Sequence, residues 1–136
     1  MQYDLTDHLI QSAAAKLDSP AEWASAQMFF YEALSSVHTS LPLAVQVELT
    51  RRGTVLPAKA ELEASRVALW KSIEHDQMGK SPEGSAVRAA LFAFFPPESD
   101  GPLDAIAHFC QFFGQAGLPQ EPLIQAFRRQ WPQNAA

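Results

Sequence analysis

Asp104 and His108 stand four residues apart, a spacing that lets a carboxylate meet an imidazole on one helix, as in a catalytic dyad. Cys110, the chain's one cysteine, would become a nucleophile if partial exposure and a histidine elsewhere lowered its pKa. Together these residues would serve a hydrolase or transferase. Opposing this, Leu103, Ile106, Ala107, Cys110 and Phe113 follow helical spacing along an apolar stripe, which puts the thiol in a core. A local stabilising pair also accounts for Asp104 and His108. The chain has no Gly-x-Ser-x-Gly elbow, no phosphate-cradling glycine loop and no dinucleotide fingerprint. No catalytic residue is therefore assigned, and no cofactor is expected.

Metal chemistry is equally weak in the sequence. No glutamate is followed by histidine at the Glu-x-x-His spacing of di-metal bundles. The histidines His8, His38, His75 and His108 fall on separate expected elements, none four residues from another.

Charge and aromatic content say more about partners. Only 18% of residues are charged, the formal net charge is -5, and Lys and Arg form no run longer than Arg51-Arg52 or Arg128-Arg129. That disfavours binding to a phosphate backbone. Residues 1–50 carry six acids against Lys16, whereas residues 51–80 hold six cations against four acids. The expectation is that the acidic part lies beside the basic middle, the alternative being a basic partner. The longest apolar run, Ala89 to Phe95, stops at Pro96-Pro97, far short of the roughly 20 residues of a membrane span. Asp4 and Asp7 occupy the start without a following apolar run, so no secretory leader is expected. With a lone cysteine, cytoplasm is the expected compartment.

These residues must be positioned by helices, because prolines and caps punctuate the chain where helices begin and end. Ser19-Pro20-Ala21-Glu22 reads as a capping box opening a helix from about 20 to 38. An earlier helix runs from Asp4 or Asp7 to Leu17. Later ones run from Pro57 to Gln77 with a stop at Gly79, from Ser81-Pro82 to Pro96, from Asp100-Gly101-Pro102 to Gly114 or Gly117, and from Pro119 through Trp131. The segment 43–56 is ambiguous. Leu43, Val45, Val47 and Leu49 alternate with Ala44, Gln46, Glu48 and Thr50 as in a β-hairpin, yet Ser40, Pro42 and Arg51-Arg52-Gly53 suit the ends of a helix. Helix is favoured. The expected fold is all-α, a compact orthogonal bundle of about seven helices, in a single domain over residues 1–136.

Nine Phe and three Trp must be buried in such a bundle or against a partner. Met28 to Tyr31 cover most of one helix's circumference, and Phe92, Phe94 and Phe95 wrap the end of another, as do Phe109, Phe112 and Phe113. A core is the simplest reading, with an apolar ligand cavity or an exposed interface as alternatives. In the helix from Pro57 to Gln77, Arg66 and Trp70 project beside the apolar face of Leu62, Leu69 and Ile73, flanked by Glu63, Glu74 and Gln77. Arg66 either lays its stem over the core edge or joins this patch as an interface anchor, with Glu63 as a partner one turn away. The preferred function is a non-enzymatic protein-interaction module, such as an adaptor, chaperone-like escort or neutralising partner. Its expected contact residues are Glu63, Arg66, Trp70, Glu74 and Gln77, meeting another protein or a second copy. A helical carrier of a small apolar ligand is the second reading and an enzyme using Cys110 or Asp104/His108 the third.

Overall fold

Helix ends follow the chemistry of a few residues, beginning with Ser81, whose hydroxyl accepts from the Gly84 N–H at 2.9 Å. With Pro82 in the first turn, this starts the helix Pro82–Leu91. The computed structural model describes residues 5–74 and 81–132. Among these it forms seven α-helices and no strand: α1 (Leu5–Leu17), α2 (Trp23–Ser36), α3 (Leu43–Arg52), α4 (Lys59–Ser72), α5 (Pro82–Leu91), α6 (Leu103–Gln115) and α7 (Gln120–Gln130). The helix expected from Pro57 to Gln77 is shorter at both ends: it starts at Lys59 and stops at Ser72, where Ile73 leaves helical backbone angles and Glu74 lies in a turn. Gly79 and His75 lie outside the described residues.

Segment 43–56 thus resolves as helix through Arg52. Gly53 adopts φ 69° and donates to the Leu49 carbonyl, closing α3 as a left-handed glycine does. Two expected caps are replaced. Ser40 does not cap α3; it ends a 3₁₀ turn, His38–Ser40, and Pro42 precedes the helix. Ser19 accepts from the Ala21 N–H, but the first turn Pro20–Glu22 is 3₁₀. Glu22 does not complete the capping box, because its carboxylate accepts from the Trp131 indole N–H at 2.8 Å, at the far end of α7.

The aromatic residues are the core. Phe29, Phe30, Phe94, Phe109, Phe113, Phe127 and Trp131 are fully buried, so the rings that wrap three helices in the sequence pack mostly on one another. Phe29 is the hub, meeting Phe30, Phe109, Phe127 and Trp131 with ring centroids 5.4–5.8 Å apart. α2 packs against α7, α5 against α6, and α1 against both α6 and α7, while α3 lies on α4. α5 is enclosed on nearly every side: Gly84, Ser85, Ala86, Val87, Ala89, Ala90 and Leu91 are all buried. Its small side chains let α6 approach closely.

The loop before α6 is equally tight. A Cβ on Gly101 would stand 2.2 Å from the Asp18 carbonyl carbon and 2.6 Å from the Ser19 nitrogen, both backbone atoms that cannot rotate away. Gly101→Ala is expected to destabilise the fold by about 2 kcal/mol through overpacking. Urea unfolding measures this, and a midpoint equal to the parent's would show that the loop accommodates a side chain freely.

Candidate functional site

Where α5 ends, the backbone leaves acceptors that the following backbone does not satisfy. The helix runs into a 3₁₀ turn, Phe92–Phe94, and the following Pro96 and Pro97 have no N–H to donate. Three side chains from three other helices supply the donors. Arg52 of α3 donates through Nε to the Ala93 carbonyl at 2.8 Å. Arg66 of α4 donates to the Phe94 carbonyl at 2.7 Å, and Gln27 of α2 donates to the Phe95 carbonyl at 2.6 Å. Arg52 also reaches the Gly53 carbonyl and the Gln27 side-chain oxygen. Its guanidinium lies 4.9 Å from the Tyr31 ring centre. Burial pushes Arg52 below its ordinary pKa, while the Tyr31 phenol acts in the opposite sense. Beside this node Glu48, also buried, accepts from the Ser65 hydroxyl at 2.8 Å and pairs with Arg51 at 3.2 Å.

This node separates the residues that expectation had placed together on α4. Arg66 is half-buried and turned inward, with its guanidinium 5.0 Å from the Phe95 ring centre. Its hydrogen-bonded partner is the Phe94 carbonyl and not Glu63, because an orphaned carbonyl is costlier to leave than an exposed carboxylate. Glu63, Trp70 and Glu74 are exposed as expected. Gln77 lies outside the described residues. Val67, overlooked in the sequence, completes the exposed side: Glu63, Val67 and Trp70 succeed one another at helical spacing, Glu74 follows in the turn after the helix, and Val67 and Trp70 are each 49% exposed. From α5, the Arg88 guanidinium lies over the Trp70 ring, 5.8 Å from its centre. The one-turn spacing of Val67 and Trp70 was a signal in the sequence; the contribution of Arg88 needed the tertiary structure.

The other candidate groups do not assemble. Cys110 is buried, whereas Asp104 and His108 are exposed and, among the described residues, no ion pair joins them. Two residues apart on α6, His108 and Cys110 are separated by about 200° around the helix axis, so they face opposite ways. Among the described residues no group of three or more His, Cys, Asp or Glu is arranged to hold a metal ion, and no helix is long and apolar enough to cross a membrane.

The expected pairing of acidic start with basic middle is seen at Glu48 and Arg51. Among the described residues Glu32 meets Arg129 of α7 at 3.6 Å and Glu48 pairs locally within α3. Arg52 and Arg66 are drawn to the carbonyls after α5 instead.

Comparison with family models, with curated proteins and with solved structures finds no match to this chain.

Proposed function

We propose that the chain is a non-enzymatic protein-interaction module that docks another protein on the outer side of α4. The observation that carries this reading is the half-exposed Trp70, set beside an equally exposed Val67 and with the Arg88 guanidinium 5.8 Å from its ring centre. Trp and Arg dominate the centres of interfaces. Glu63 and Glu74 border the apolar pair at its two ends, so the fitting partner is a protein surface with an apolar centre and a basic rim. The adaptor, escort and neutralising roles all share this contact.

Arg66 and Trp70 are tested separately, because Arg66 donates to the Phe94 carbonyl whereas Trp70 is half exposed. Trp70→Ala is expected to weaken binding of a purified partner by about 30-fold, equivalent to roughly 2 kcal/mol, with little loss of stability. Arg66→Ala is expected to lower stability first, through the uncapped Phe94 carbonyl. Calorimetric titration alongside thermal melting separates these effects, and self-association by light scattering tests a second copy as partner. If folded Trp70→Ala binds as the parent does, the α4 face is ordinary surface.

A further inference from the structure

A second feature lies away from the outer side of α4 and does not depend on the docking reading. A cleft of about 220 Å³ opens between the start of α2, the turn after α5 and the first turn of α6, lined by Trp23, Phe30, Phe92, Phe95, Glu98 and Ala105. Trp23 and Phe30 are buried and form its inner wall. Phe92 lies between Phe30 and Phe95, with centroids at 6.0 and 6.1 Å and the rings inclined by 46° and 53°. Three successive rings therefore curve around one side. The Trp23 indole N–H is already taken by the Asp100 carbonyl, so Trp23 has only its aromatic ring to offer. Glu98 contributes the cleft's one charged side chain, and it is exposed.

The surroundings share that sign. Directly across the 98–101 loop, Asp18, Asp100 and Asp104 line a neighbouring depression with no Lys or Arg among its lining residues. The Arg66 guanidinium, 5.0 Å from the Phe95 ring centre, is a positive charge beside that ring, whereas the cleft's own lining carries Glu98 and the neighbouring depression Asp100 and Asp104. Aromatic faces carry negative quadrupoles that attract cations, most strongly where water is partly excluded. The cleft is smaller than the roughly 300–1,000 Å³ of sites that enclose drug-sized ligands. A lipid chain is too large for it, and an anion would meet the Glu98 carboxylate.

We infer that this cleft binds a compact organic cation, a quaternary ammonium head of the size found in choline, against the partly exposed rings of Phe92 and Phe95, which Phe30 and Trp23 back from the core, with Glu98 as counter-charge. The head has two sources, a free small molecule or a trimethylated lysine on another protein.

The test is calorimetric titration of the full chain with choline, with its neutral carbon isostere 3,3-dimethylbutan-1-ol, and with a short peptide bearing trimethyllysine. Choline is expected to bind about tenfold more tightly than the isostere, because only the charge differs. Phe95→Leu is expected to weaken choline by about tenfold, and Glu98→Gln, at an exposed position that leaves the core untouched, by about threefold. Tighter binding of the peptide than of choline would identify a protein side chain as the occupant, and the reverse a free molecule. Equal binding of choline and the isostere, or no saturable binding of either cation, would overturn the inference. So would unchanged choline affinity in a folded Glu98→Gln protein together with a folded Phe95→Leu protein.

Discussion

Replacing Phe29 with alanine is expected to lower the free energy of unfolding by about 4 kcal/mol, a loss typical of a core aromatic whose surroundings cannot relax. The ring is fully buried and touches four other aromatic rings drawn from α2, α6 and the end of α7. Its removal therefore leaves a cavity whose walls are rigid rings, each locked by the next, so the site cannot collapse to fill the void. Urea unfolding should show a lower midpoint with an unchanged slope. A loss under about 1 kcal/mol would mean that the neighbouring rings repack, and that the hub is less tightly constrained than its edge-on contacts indicate.

Arg52→Met is the second large effect, expected at about 3 kcal/mol. Methionine keeps the apolar stem but removes the donors to the Ala93 and Gly53 carbonyls and to Gln27. Leaving a buried carbonyl without a donor costs more than the hydrogen bond itself contributed, which makes this truncation worse than the lost bonds alone suggest. For a chain of this size the melting temperature should fall by about 9 °C, at about 3 °C per kcal/mol. Arg52→Lys should fall between parent and Met, since one ammonium cannot reproduce the planar fork. The guanidinium stays protonated throughout the neutral range even with its pKa lowered by burial, so the deficit should not change between mildly acidic and mildly basic buffer. A deficit that vanished on moving the pH within that range would place the loss on another group.

Local chemistry made most of the helices readable. Ser81 with Pro82, Gly53 and Gly117 mark their ends through hydrogen bonds and positive φ values that depend on adjacent residues alone. α3 was ambiguous for a reason its burial explains. Leu43 and Val47 face solvent, at 74% and 45% exposure, while Glu48 and Arg52 are buried. Inverting the usual inside and outside residues erases the helical period and leaves apparent alternation. The enclosure of α5 was hidden differently, because glycine, serine and alanine carry little hydrophobic signal even when fully surrounded.

On α4, exposure of Glu63 and Trp70 followed from helical spacing, whereas Glu74 is exposed in the turn beyond the helix end. The placement of Arg66 did not follow from it, since its partner is a carbonyl 28 residues away whose need for a donor arises from two prolines after another helix. The aromatic cleft was legible only as an excess of phenylalanine. Which rings close the core and which leave a gap depends on how α2, α5 and α6 meet.

The tie between Glu22 and Trp131 spans 109 residues, which makes the timing of synthesis matter. At roughly 5–20 residues per second, α2 is synthesised about 5 to 20 s before Trp131 is added. During that interval the hub at Phe29 lacks its last two ring partners, Phe127 and Trp131. The nascent chain therefore holds an open aromatic face until α7 arrives, and a messenger truncated ahead of α7 would yield a product that exposes this face permanently. Such a product would be prone to aggregation even though six of the seven helices had been translated.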